Sequence, residues 1–311
     1  MRKRWLDVLH KVAQRNKQVI FIGSDLTADE GMRKFSHEMP AQFFMEGISE
    51  AHLVGMASGM ATSGKIVYFN TIATFISRRC YEQNVIDLGL TNANVRLIGN
   101  GGGLVYTPLG PTHLALEDLA IMRVIPHMTV IAPCDADEME RAILASVDHK
   151  GPIYFRCGKG GEPIVSKAEH GFSIGKAIVH VQPEPADALI ITTGILLPTA
   201  LQAADLLAKH GIATGVIHVP TVKPLDEPCL VNAMRKSQVV VTLEEHFIAG
   251  GLGSAVCELI AENAVLKPRA FKRLGVPDLF PDEYGSQASL LAKYGLSVPA
   301  VVETIRGLHK A

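Results

Sequence analysis

Short apolar, β-branched runs recur along this chain, each bounded by Gly or Pro and each followed by a longer amphipathic stretch. In the first half they fall at 18–23, 65–70, 94–99, 128–132 and 152–156. The connections are far longer than a hairpin turn. A strand that returns parallel to its neighbour needs a crossover of a dozen or more residues, commonly a helix. The chain is therefore constrained to βαβ units, a mostly parallel sheet with helices on both faces. The rhythm stops after Arg156, where 157–186 carries Gly158, Gly160, Gly161, Pro163, Gly171, Gly175, Pro183 and Pro185 and few helical signals. It resumes with strands at 188–193, 213–219, 238–244 and 269–274 and helices at 196–210, 226–236, 250–264, 286–294 and 298–309. The expectation is an α/β protein of two doubly wound domains, 1–157 and a smaller 186–311, joined by a linker at 158–185.

A length of 311 residues agrees with two cores. The balance of 30 Lys+Arg against 31 Asp+Glu lacks the footprint of a nucleic-acid binder. The longest apolar run, 19–22, cannot span a bilayer, and the basic N-terminus leads into Asp7, His10 and Lys11, not into an apolar signal core. Cys80, Cys134, Cys157, Cys229 and Cys257 are odd in number and form no C-x-x-C pair, so they read as buried thiols of a cytoplasmic protein, without disulfide or zinc.

Four stretches carry chemistry-bearing residues. After Gly47 a helix is expected with Leu53, Met56, Ala57, Met60 and Ala61 on one face, and Gly55, Ala57, Ser58, Gly59 and Ala61 leave it little bulk, which suggests close packing against another backbone or subunit. Glu50 stands in its first turn, where an acid also serves simply to complement the helix dipole. A Gly-rich loop runs from Asn100-Gly101-Gly102-Gly103 to Gly110-Pro111-Thr112-His113 between a strand and an expected helix at 114–123, the place where open α/β sheets bind ligands. Phe75 precedes Arg78 and Arg79, a pair of the kind usually found on a solvated face. Glu244-Glu245-His246 runs into Gly250-Gly251-Leu252-Gly253, at a strand–helix junction suited to a site or a tight interface.

In order and spacing these segments resemble the C-terminal half of a transketolase-type thiamine diphosphate enzyme. The marks are Phe43-Phe44-Met45-Glu46-Gly47-Ile48-Ser49-Glu50, the stretch from Phe75 to Gln83, Gly110-Pro111-Thr112-His113 before Ala115-Leu116-Glu117-Asp118, Lys223-Pro224-Leu225-Asp226, Glu244-Glu245-His246 with its glycines, and the tail from Gly275 to Leu296. The resemblance implies a pyrimidine-binding domain followed by the family's C-terminal domain. It also implies that Glu50 is the acid that bonds N1′ of the aminopyrimidine, that Phe75 is the ring on which the pyrimidine stacks, and that Asp25 is an acid near the thiazolium. His113 and Asn100 then face the reacting substrate, and Arg156 pairs with a substrate phosphate.

The family's G-D-G…N motif for the diphosphate and its Mg2+ is absent from these residues, so the resemblance implies half a cofactor site. The metal would be held mainly by an N-terminal-type transketolase subunit, in a complex of α2β2 form. The substrate pocket departs from the family pattern: Leu109 stands for the acid that grips sugar hydroxyls, Gly101 for a histidine and Ile72 for an aromatic. Ketol transfer between a ketose and an aldehyde is the first expectation. A 2-oxo acid-decarboxylating enzyme, like 1-deoxyxylulose-5-phosphate synthase or the beta chain of a 2-oxo acid dehydrogenase, is the second, and a non-catalytic binding subunit the third.

Overall fold

The computed structural model describes residues 1–24 and 30–310, in two compact units. The first comprises Met1–Gly102 and Ile121–Ser173. Its strands β1 (Val19–Ser24), β2 (Phe43–Glu46), β3 (Ile66–Ile72), β4 (Val95–Asn100), β5 (Thr129–Ile131) and β6 (Ile153–Cys157) stand in the order β5-β6-β4-β3-β1-β2, every pair parallel. All residues of β1, β4 and β6 are buried, as expected for strands covered on both faces. Helices α1 (Arg2–Arg15), α2 (Glu30–Glu38), α3 (Glu50–Thr62), α4 (Tyr81–Gln83) and α6 (Ala136–Ser146) belong to this unit, and α5 (Asp118–Arg123) enters it. Trp5 of α1 stacks on Phe21 of β1, whose ring also meets Phe35 of α2 and Phe43 of β2. That aromatic group ties two helices to adjacent strands.

Arg96 of β4 is fully buried and faces the carboxyl end of α6, donating to the carbonyl of Ser146 at 2.7 Å and of His149 at 2.6 Å. Its charge meets the negative pole of a helix instead of a carboxylate. Replacing Arg96 by Met strips buried carbonyls of their donors, so stability is expected to fall by about 2–4 kcal/mol, measured by urea denaturation.

The second unit comprises Gly103–Ala120 with residues from Ile174 onward. Strands β7 (Ile178–Val181), β8 (Ala186–Thr192), β9 (Thr214–His218), β11 (Ser237–Phe247) and β12 (Ala270–Val276) run in the order β12-β11-β8-β9-β7, with β7 antiparallel; a short strand β10 (Thr221–Lys223) follows β9. Helices α7 (Leu197–Lys209), α8 (Glu227–Met234), α9 (Leu252–Glu262), α10 (Gln287–Lys293) and α11 (Val298–Lys310) complete it. Leu189, Ile217, Val240, Val256 and Leu259 lie in its core.

The expected linker is only partly irregular. Asp135, which caps α6 through the amides of Asp137 and Glu138, also accepts from the amides of Val165 and Ser166 at 2.8 and 2.6 Å. Burial pushes this carboxyl up, but the bonds from Glu138, Ser166 and Val165 outweigh it and hold the group below the usual carboxylate range. Farther on, 178–181 forms β7. The helix expected at 114–123 starts only at Asp118, because Ala115 pairs with Gly103 in an antiparallel bridge and Leu114 is extended. Cys257 is exposed, not buried; Cys80, Cys134 and Cys157 are buried as expected, and all five thiols are free.

Candidate active site

The first sheet gathers its polar residues at the carboxyl ends of its strands. Strand order reverses around β1, with β2 on one side and β3 on the other, and such a switch point opens a crevice in parallel sheets. After β2 the chain turns through Gly47 into α3, whose first residue is Glu50. Its carboxylate is 1% exposed. After β3 the chain winds through a π-turn, Phe75–Arg79. Residues four apart face the same side, so Arg79 folds back over Phe75, its guanidinium carbon 4.0 Å from the ring centroid. Arg79 Nη1 donates to both Glu50 oxygens at 2.8 Å. A buried acid, a planar cation and an aromatic face thus form one stack. Beside it, burial and then the Glu50 charge push the Cys80 thiol up to about 12, which keeps it neutral.

Asn100 ends β4 and donates to Asn70 Oδ1 of β3 at 3.0 Å, while Asn70 donates to the Ile98 carbonyl at 2.8 Å. The Asn100 Oδ1 atom is buried without a hydrogen-bond partner among the described residues, as are the hydroxyls of Thr71 and Thr74. Arg156, next to last in β6, crosses Gly102 so closely that a Cβ there would lie 2.4 Å from its Cγ. Gly101 has φ +71°, in the left-handed region that favours glycine.

The loop carrying His113 belongs to the second unit, and three consecutive side chains of β11 hold that unit together around it. Glu244 accepts from the amides of Leu252 and Gly253 at 2.8 and 2.7 Å, an anion on the N-terminus of α9. Glu245 accepts from the Leu104 amide at 3.0 Å and from Gln287 at 2.7 Å, and a Cβ at Gly103 would lie 2.2 Å from its carboxylate. His246 Nε2 accepts from the Ala120 amide at 3.2 Å, so Nδ1 carries the proton and donates to the Phe247 carbonyl at 2.6 Å. Both ends of 104–120 are therefore pinned to β11. Removing the Glu245 carboxylate leaves buried donors unpaired, and Glu245→Ala is expected to cost about 2–4 kcal/mol, read by thermal denaturation. His113 is half-buried on this loop, with Nδ1 2.9 Å from the Thr112 hydroxyl. Leu109 is exposed.

The structure thus brings Glu50 and Phe75 together and lines up Asn100 and Arg156 at the same sheet edge. Asp25 lies outside the described residues. Arg79 reads from sequence alone as a surface charge; what marks it is its position four residues after Phe75.

Comparison with known families bears on the same elements. The profile for the transketolase pyrimidine binding domain matches residues 1–161, and that for the transketolase C-terminal domain matches 175–301. The chain belongs to the transketolase family. It is 35% identical to the 6-deoxy-6-sulfo-D-fructose transketolase subunit SqwH of Clostridium sp. (strain MSTE9), over 100% of this chain and 94% of that one. Identity to one subunit of the apulose-4-phosphate transketolase of Phocaeicola vulgatus is 33%, over 97% and 95%. A solved split-gene transketolase, described as an inactive beta4 tetramer, superposes with a TM-score of 0.90 at 33% identity, covering 99% of this chain and 98% of that chain. The 1-deoxy-D-xylulose-5-phosphate synthase of Desulforudis audaxviator is 35% identical, but the match spans 46% of its length. The chain is a C-terminal transketolase-like subunit of a transferase, and its family is thiamine diphosphate-dependent.

Proposed function

We propose that this chain supplies the pyrimidine side of a two-component thiamine diphosphate site that transfers a two-carbon ketol unit from a ketose to an aldehyde. The observation that carries the reading is the stack of buried Glu50, a planar cation and the Phe75 ring at the carboxyl edge of the first sheet. A flat, protonatable aminopyrimidine makes the same two demands, an aromatic face and an acid in its plane, so these residues fit the group. Bound thiamine diphosphate supplies a nucleophilic carbon, C2 of its thiazolium, able to carry the ketol unit. Glu50 would hold a proton at N1′ of the ring, and its burial keeps water from competing for that bond. Phe75 would fix the ring plane. Asn100, with one unpaired oxygen, would orient the substrate; His113 would contact its reacting oxygens, and Arg156 would pair with an acidic end group. Asp25 would stand near the thiazolium.

Mg2+ and the diphosphate would be held by an N-terminal-type subunit, since no Gly-Asp-Gly occurs in the sequence. Two copies of each chain would assemble as α2β2. Support comes from α3, where Met56 and Met60 are only half-buried and a Cβ at Gly59 would meet nothing within 4 Å. That leaves a smooth strip for a second backbone. The donor would be a ketose with an acidic terminus, like the substrates for which the two relatives are named, and Leu109 would face a part of it without hydroxyls. The test is to combine the chain with an N-terminal-type subunit and assay ketoses, with and without a phosphate or sulfonate end, against an aldehyde acceptor. Leu109 also favours a second reading, a 2-oxo acid donor; CO2 release from pyruvate without ketose turnover would establish that one instead.

A further inference from the structure

Glu50 is almost fully buried, yet the cation that neutralises it comes from a side chain 43% exposed. Arg79 is held through its head group. Its Nη1 bonds both carboxylate oxygens of Glu50, and its guanidinium plane occupies the face of Phe75. These are the two contacts assigned above to the aminopyrimidine. A guanidinium resembles that ring in the relevant respects: it is flat, delocalised and presents N–H donors to a carboxylate in its own plane. One Phe75 face and one Glu50 carboxylate cannot serve both groups. Almost half of the Arg79 side chain is exposed, so the head has a route into water that does not pass through the sheet. The π-turn in which both residues stand is a winding found frequently at functional sites.

We propose that Arg79 is a latch on the cofactor seat: it occupies the pyrimidine position and must swing outward before the ring can enter. The proposal rests on the assignment of Glu50 and Phe75 made above. The latch keeps a buried carboxylate compensated while the seat is closed, and it taxes cofactor binding by the fraction of time the seat is open. If that fraction is about one tenth, removing the cation tightens the apparent affinity about tenfold.

Thiamine diphosphate with Mg2+ is titrated by calorimetry into the complex of this chain with an N-terminal-type subunit. Complex formation by each variant is verified by light scattering. For Arg79→Ala the dissociation constant is expected to fall about tenfold and the association rate, followed by stopped flow, to rise by a similar factor. Arg79→Gln is shorter than Arg and removes the cation over the ring but retains a polar N–H group in the seat, so an intermediate tightening is expected. An unchanged or weaker affinity in both variants overturns the latch. Phe75→Ala and Glu50→Ala test the underlying assignment separately: both should weaken binding. If neither does, the ring does not sit on this stack and the assignment fails, whatever Arg79 does; if both weaken binding and the Arg79 variants do not tighten it, the latch alone fails.

Discussion

Replacing Glu50 by Gln is expected to lower turnover of the reconstituted enzyme by ~10²-fold or more while leaving the fold in place. Gln preserves the shape of the side chain but cannot supply the acid that favours the imino form of the ring. The structure also says what the same change should do to stability. Glu50 is buried, so losing its charge leaves Arg79 without an anionic partner, but Arg79 is 43% exposed and its charge can turn to water. The cost should therefore stay near that of a surface pair, ~1 kcal/mol, and not approach that of a broken buried one. A dipole-complementing Glu50 predicts a comparable loss of stability, so stability does not separate the roles; turnover does. Exchange of the cofactor's C2 proton, followed by NMR after acid quench, should slow in the same variant, because it precedes any encounter with substrate. Unchanged exchange would remove Glu50 from the chemistry.

The second large effect is dependence on a partner. The proposed site takes from this chain an acid and an aromatic face, and the sequence holds no Gly-Asp-Gly. The chain alone should show no ketol transfer and only weak cofactor binding, and addition of an N-terminal-type subunit should restore both together. Calorimetry that finds tight, Mg2+-dependent binding to the chain alone would contradict this.

The alternation of strands and helices is legible because strands covered on both faces are mostly apolar, Arg96 in β4 being an exception, and Gly or Pro bounds many of them. Four residues of that sheet do not read as a strand: Phe43–Glu46, half-buried at the edge, stand out as a motif instead. In α3 the buried set is Glu50, Leu53, Val54, Ala57 and Ser58. It has the same spacing as the face read from Leu53, Met56, Ala57, Met60 and Ala61 but begins three residues earlier, at the acid, so the face that suits a second backbone and the face that packs inward overlap only in part. Arg79 cannot be read from its own neighbourhood, because two adjacent arginines look alike whether they face water or an acid 29 residues upstream. Glu244-Glu245-His246 is visible as a motif, yet its job, pinning a loop more than 120 residues earlier, depends on tertiary contacts alone.

That pinning bears on how such a protein can be taken apart. In sequence the obvious scissors point is the Gly- and Pro-rich stretch after Cys157, and a fragment ending there would look like an entire domain. It would carry away Leu104, Leu114 and Leu116, all buried, while leaving Glu245 and His246 behind on the other piece. Each half would then expose what the other was covering. Domain exchange among relatives should succeed when 103–120 travels with the second unit and fail when the chain is simply cut at the linker, because the compact unit is discontinuous in sequence.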